Sequence, residues 1–127
     1  MCIRDRNMIK PPFNVNKIAQ LCAMESLKDS KFISKSVKHN LFWSSKIKNR
    51  LERFNIFCNK VSANFLLLNF KKCKLSATTV EKKLLKKGII LRETKTYGIN
   101  NCLRLTIGNN LENSIFLKNI NRIFKNV

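Results

Sequence analysis

Metal-ligand clusters and paired cysteines are missing from this sequence. It contains 5 cysteines and 1 histidine, and no two cysteines are separated by only two residues. A structural zinc site needs about four ligands at close spacings, so we expect no metal site. The odd number of cysteines argues against a disulfide framework, and it favours reduced thiols that pack as small hydrophobic groups.

Long hydrophobic runs are also scarce. The longest bulky run covers residues 65–68, far short of the roughly 20 apolar residues that cross a membrane. The N-terminal residues do not have the apolar stretch of a signal peptide either. Hydrophobic residues nevertheless make up 44% of the 127 residues, which is enough for one domain with its own core. We therefore expect a folded cytoplasmic protein with no membrane partner.

Acidic residues are few: 7 stand against 26 lysines and arginines, for a net charge of +19. Such a charge is typical of proteins that bind nucleic acid or an anionic membrane surface. However, Lys, Asn, Ile and Phe all have AT-rich codons and are abundant together, although Asn adds no charge. The basic residues are dispersed, and their densest groups are residues 71–74 and 82–87. We interpret the charge as a product of base composition and expect no specific nucleic-acid partner.

Apolar spacing predicts a small α+β fold. Residues 1–8 match no periodic pattern, and we interpret them as a junction segment outside the native domain. Asn14 or Asn16 can cap the first helix, and Gly88 can end the third one in a left-handed conformation. The predicted elements are two helices, two strands, a helix, two strands and a helix, at about residues 14–28, 32–54, 55–60, 63–70, 76–87, 89–92, 102–107 and 109–124. This order predicts a small, largely antiparallel sheet with helices packed on it.

Two helix starts have the spacing of a capping box. Thr78 is followed by Glu81, although Ser76 is an alternative cap for the same helix. Asn109 is followed by Glu112 before the last helix. In each box the two side chains would bond the free N–H groups of the first turn, so both pairs are interpreted as structural.

Arg104 lies in a strand with clear alternation. Leu103 and Leu105 fall on one face of the predicted strand, and Arg104 falls on the other. A guanidinium group can bind a carboxylate or a phosphate through two parallel hydrogen bonds. From this pattern alone, an exposed strand arginine remains the ordinary alternative. Arg92 ends the strand that is expected to lie beside the Arg104 strand. The ordinary alternative for Arg92 is a surface ion pair with Glu93 or another acid.

Four segments in this order resemble the small C-terminal domain of the histidinol-phosphate aminotransferase family. Each is weak alone, but their order and spacing together are specific, and the resemblance covers roughly residues 9–124. The segments are residues 12–16 with 19–20, residues 62–67, residues 88–92 with 97–98, and residues 103–108 with 112–113.

The resemblance implies a fold-type-I enzyme that uses pyridoxal phosphate. The family transfers an amino group between histidinol phosphate and 2-oxoglutarate, late in histidine biosynthesis, and its members are expected to form homodimers. Its Schiff-base lysine and its other cofactor contacts lie in a large domain upstream. We therefore expect residues 9–127 to be the small domain, to partner the large domain of the same polypeptide, and to be inactive alone. No catalytic or cofactor-binding residue is assigned to this chain.

The resemblance also gives the two arginines a role. It implies that Arg104 binds the α-carboxylate of the substrate amino acid, or the phosphate of histidinol phosphate. Arg92 is the second candidate, beside the same anion or behind Arg104. Tyr97, in the loop between them, could rim the site, but it is interpreted as a turn residue. The alternatives are a related pyridoxal-phosphate aminotransferase, a cobalamin-pathway decarboxylase or, in another class, a small basic nucleic-acid-binding domain. The last would need basic residues and exposed aromatic side chains on one face.

Overall fold

The computed structural model describes Ile3, Met8, Ile9 and residues 15–125. It divides into two compact units, Met1–Ser36 and Val37–Val127. Most of the predicted junction, residues 1–8, and the alternative cap Asn14 lie outside the described residues.

The described part of the first unit contains helix α1, Lys17–Lys28. The Asn16 side chain accepts a hydrogen bond from the Ala19 N–H at 2.8 Å, which confirms Asn16 as the cap. Asp29 ends the helix, and its carboxylate accepts from the Phe32 N–H at 2.9 Å. The predicted break after α1 is therefore confirmed, because Asp29 already caps the next helix.

Helix α2 covers Ser30–Glu52 and brings its second half into the core of the second unit. Its buried residues are Trp43, Ser44, Ile47 and Leu51. It begins two residues before the predicted start at Phe32 and ends two residues before Phe54. The chain turns at Asn55, whose φ is +58°, a left-handed conformation that asparagine adopts more readily than most residues.

The described chain forms four strands: β1 Phe57–Cys58, β2 Phe65–Asn69, β3 Arg92–Glu93 and β4 Cys102–Thr106. They pair as one antiparallel sheet in the order β1-β2-β4-β3. The long strands β2 and β4 lie in the centre, so the predicted α+β fold with a small antiparallel sheet is confirmed.

One face of this sheet forms the core. Leu66 of β2 lies opposite Leu105 of β4, and Leu68 lies opposite Leu103. All four side chains are buried. The helices add further buried side chains to the same cluster, among them Ile47, Leu51, Val80, Leu84, Phe116 and Ile120. Because side chains alternate along a strand, β4 presents Arg104 on the opposite face.

The strand predicted at residues 89–92 forms later than expected, at Arg92 and Glu93. Helix α3, Ala77–Leu85, ends with bonds from the Gly88 N–H to the Leu85 carbonyl and from the Ile89 N–H to the Leu84 carbonyl. This is a Schellman motif with Gly88 left-handed at φ +73°, as predicted. Its second bond holds residue 89 against the helix, so the sheet pairing begins only three residues later.

Of the two predicted capping boxes, one is confirmed and one is wrong. Helix α3 is capped by Ser76, whose hydroxyl accepts from the Thr79 N–H, so Thr78 already lies inside the first turn. At helix α4, Asn110–Lys125, the Asn109 N–H donates to Glu112 Oε2 at 2.7 Å. The Glu112 N–H donates back to Asn109 Oδ1 at 3.0 Å. This reciprocal pair is the predicted box.

Candidate functional site

The two candidate arginines are direct neighbours across the β3–β4 pair. Arg92 and Arg104 are Cα partners in the antiparallel register. Side chains at such positions have Cβ atoms about 4.5–5.5 Å apart on the same face of a sheet. The sequence predicted that the strands of Arg92 and Arg104 adjoin, and the register confirms it.

The charges around this pair favour an anion. Like charges placed directly opposite one another destabilise a strand pair. Glu93, the candidate partner of Arg92, lies opposite Leu103 and shares a hydrogen bond with Glu81 instead. Burial raises the pKa of the Glu81 carboxyl, and the charge and hydrogen bond of Glu93 raise it further. Glu93, the acid nearest to Arg92 in sequence, therefore interacts with Glu81 and not with Arg92.

Arg104 is half-buried, and its guanidinium has an unused edge. Its Nε is buried and has no hydrogen-bond partner among the described residues. The guanidinium carbon lies 5.3 Å from the centre of the Phe65 ring, which covers it from the neighbouring strand β2. A buried donor without a partner costs about 1–3 kcal/mol. An anionic oxygen at Nε, with a second one at a terminal nitrogen, would remove that cost.

Arg92 is exposed and is oriented by a single loop residue. Its Nη2 donates a hydrogen bond to the Tyr97 hydroxyl, and its guanidinium carbon lies 5.4 Å from the centre of the same ring. Tyr97 ends a short 3-10 helix, Lys95–Tyr97, that stops at Gly98 with φ +73°. The sequence placed Tyr97 in a turn correctly but did not reveal this contact.

The end of β4 is fixed by bonds to Gly108, which sequence reasoning did not find. The Gly108 N–H donates to Asn113 Oδ1 at 3.0 Å, and its carbonyl accepts from Asn113 Nδ2 at 2.8 Å. His39 Nε2 lies 2.9 Å from the same carbonyl. The Trp43 indole donates to Asn110 Oδ1 at 2.6 Å. These bonds tie α2 and α4 to the strand that carries Arg104.

The described residues do not fit pyridoxal phosphate. The cofactor needs a lysine for its aldehyde and an acidic or basic partner for its ring nitrogen, which is commonly an aspartate. The single aspartate in the described chain is Asp29, whose carboxylate caps α2.

Within residues 15–125 and the three described N-terminal positions, no group of three His, Cys, Asp or Glu side chains could hold a metal ion. No described helix is long and apolar enough to cross a membrane.

The structure resembles several proteins of known fold, two of which differ in activity. One is the histidinol-phosphate aminotransferase from Clostridium acetobutylicum, with a TM-score of 0.76 and 23% identity, covering 95% of this chain and 37% of that one. The other is a decarboxylase from Sulfurospirillum multivorans, with a TM-score of 0.67 and 21% identity, covering 87% of this chain and 33% of that one. At these identities the comparisons establish the fold.

The sequence itself has a closer relative. The chain is 55% identical over 119 residues to the histidinol-phosphate aminotransferase of Pelagibacter ubique (strain HTCC1062), covering 93% of this chain and 33% of that protein. This chain thus spans about a third of the relative's length. The sequence profile of the family Aminotransferase class I and II matches residues 3–120. On this evidence the chain belongs to the class I and II aminotransferase family.

Proposed function

We propose that this chain is the small C-terminal domain of a histidinol-phosphate aminotransferase, with residues 9–127 as the domain. The 55% identity to the Pelagibacter protein supports the substrate class. The observation that carries the site is the register pair of Arg92 and Arg104, with the unpartnered Nε of Arg104. The decarboxylase likeness rests on fold alone, so the aminotransferase is the better candidate.

In this proposal Arg104 binds the anionic group of each substrate. Histidinol phosphate presents a phosphate and glutamate presents a carboxylate, and both match the planar fork of a guanidinium. Phe65 covers the guanidinium of Arg104 and limits its rotation. Arg92, held by Tyr97, adds a second positive charge from the adjacent strand. One cation pair would thus serve both half-reactions.

The remaining parts of the active site are proposed to lie outside this chain. The large domain of the same polypeptide would hold pyridoxal phosphate, which supplies an electron sink when bound. This chain would contribute substrate binding and orientation, and it would not transaminate alone. We further propose a homodimer in the cytoplasm, as expected of an enzyme of histidine biosynthesis.

A chimera tests the proposal. Residues 9–127 would replace the matching third of the Pelagibacter protein, and transamination of 2-oxoglutarate by histidinol phosphate would be measured. We expect activity within about tenfold of that of the parent enzyme. A native-like anion site should change the activation free energy by less than ~1.4 kcal/mol, which is the amount that corresponds to a tenfold change in rate. The chain alone should show none. A correctly folded chimera that decarboxylates or transaminates another phosphorylated amine, but not histidinol phosphate, would refute the substrate assignment.

A further inference from the structure

A second positively charged site lies where helices α2 and α4 end. Phe54, just after α2, stacks on Phe124 near the end of α4, with ring centres 4.5 Å apart and ring planes at 13°. A cavity of about 480 Å³ opens beside this stacked pair. It is lined by five cations: Arg50, Arg53, Lys118, Arg122 and Lys125. We call this cavity the basic cleft.

No acidic side chain lines the basic cleft. The two ion pairs seen in the described chain, Lys28–Glu25 and Lys48–Glu52, leave out all five of its cations. Glu52, the acid nearest to Arg53 in sequence, is the one paired with Lys48. A cleft lined by charges of one sign concentrates ions of the opposite sign.

The helix dipole explains the position of only some of the five cations in the basic cleft. Arg50 lies in the last turn of α2, and Arg122 and Lys125 lie in the last turn of α4, where cations are stabilised by the helix dipole. Arg53, the residue that follows α2, gains from this effect as well. Lys118 lies in the middle of α4, outside the reach of the effect, yet it lines the same cavity as the other four cations.

The shape of the cleft indicates what it would bind. Its volume falls within the range of roughly 300–1,000 Å³ that is usual for small-molecule sites. An adjoining cavity of about 170 Å³ shares Arg53, Phe54 and Phe124 with it, which extends the positive surface past the rings. The two rings stack on each other, so recognition has to come from the cations around them. Several guanidinium forks along one path suit an anion with several phosphate groups.

We propose that the basic cleft binds an oligophosphate anion, either free or as the phosphate chain of a nucleotide. The binding groups are the guanidiniums of Arg50, Arg53 and Arg122 and the ammoniums of Lys118 and Lys125. This site is separate in its residues from the Arg92–Arg104 pair, and it does not depend on the enzyme activity proposed above.

Titration calorimetry of the 127-residue chain with inorganic tripolyphosphate at about 0.15 M salt tests this site. Arg53→Glu and Arg122→Glu should each weaken binding about tenfold or more, the loss expected when a charge-assisted hydrogen bond is removed. Lys87→Glu makes the same change of charge at an exposed position outside the cleft, and it should weaken binding less than about threefold. Arg53→Gln and Arg122→Gln serve as milder variants, with circular dichroism to check that the fold is retained.

Two further ligands distinguish the possible sources of the phosphates. ATP that binds as tightly as tripolyphosphate, with the same dependence on Arg53, supports a site for the phosphate chain itself. An equal loss of affinity in Lys87→Glu would show attraction by total charge and would overturn the proposal. A single-stranded oligonucleotide that binds far more tightly than tripolyphosphate, and is insensitive to Arg53→Glu, would overturn it as well.

Discussion

Arg92 and Arg104 lie directly opposite each other on the outer face of the β3–β4 pair. Each guanidinium is also covered by an aromatic ring, Tyr97 for Arg92 and Phe65 for Arg104. Like charges at directly opposite positions destabilise a strand pair, and an anion bound between them would offset that cost.

The capping box at α4 should contribute measurable stability. Asn109→Ala removes the acceptor for the Glu112 N–H, and it should lower the free energy of unfolding by about 1 kcal/mol. Urea denaturation followed by circular dichroism measures this change. Asn49→Ala, at an exposed position inside α2, is the matched control and should be neutral or slightly stabilising. An Asn109→Ala variant as stable as the parent chain would mean that the box forms without contributing to folding.

Cys58 should make stability depend on pH at the alkaline end. Burial raises the pKa of its thiol from 9.0 to about 12, Lys48 opposes the shift and Glu52 adds to it. Below about pH 8 the thiol is largely protonated in both the folded and the unfolded chain. Between about pH 9 and 12 only the unfolded chain loses the proton, so folding stability falls as the pH rises.

Unfolding in urea at about pH 8 and about pH 10.5 checks this linkage. The loss of stability between the two pH values should be smaller in Cys58→Ala than in the parent chain. Cys22→Ala, at an exposed position, should lose as much as the parent. Equal losses in all three proteins would show that Cys58 is not protected in the folded state.

Local signals in the sequence predicted most of the fold. Alternation in β4 placed the Arg104 side chain on the face of the sheet opposite to that of the buried Leu103 and Leu105. Gly88 marked the end of α3. The box assigned to Thr78 failed because Ser76, two residues earlier, satisfies the same helix start. Spacing alone cannot rank two acceptors that are each able to cap.

Contacts between distant residues could not be read from the sequence. His39 and Gly108 are 69 positions apart, and Trp43 and Asn110 are 67 positions apart. Each bond depends on how α2 packs against the end of β4, which no local pattern encodes. The Arg92–Tyr97 contact is local, yet it depends on the left-handed turn at Gly98, and many sequences share that turn.

Helix α1 should cause the isolated chain to associate. None of its residues is buried, and Ile18 and Leu27 are each 74% exposed. Exposed apolar surface of this kind promotes association, most clearly at high salt, where the repulsion of like charges is screened. Light scattering at rising protein concentration should show larger particles for the parent chain than for Ile18→Gln/Leu27→Gln. Lys28→Gln on the same helix should behave as the parent, and a monomeric parent chain would contradict the prediction.

Arg92→Lys should impair the chimeric enzyme moderately. Arg92 is exposed, and it already donates one hydrogen bond to Tyr97, so fewer of its donors remain for substrate. We expect the specificity constant for histidinol phosphate to fall by about tenfold or less, which is up to ~1.4 kcal/mol. Steady-state kinetics with histidinol phosphate and with glutamate measures the change. A loss greater than that of Arg104→Lys would make Arg92 the principal anion ligand.

Arg104→Lys should have the larger effect in the same enzyme. Lysine keeps the positive charge but loses the planar fork and the buried Nε donor. Because the same side chain is proposed to bind the phosphate in one half-reaction and the carboxylate in the other, both substrates should be affected together. A charge-assisted bidentate contact contributes about 2–3 kcal/mol, which corresponds to a loss of roughly 30- to 150-fold in each specificity constant.

The control for Arg104→Lys is a charge-conserving exchange at an exposed position outside both proposed sites. Lys87→Arg should leave both specificity constants within a factor of about three, since Lys87 belongs neither to the Arg92–Arg104 pair nor to the basic cleft. If Arg104→Lys also stays within that factor, Arg104 is a surface strand arginine and the site assignment fails. If only one substrate is affected, the two anions bind to different groups, and Arg92 becomes the candidate for the other.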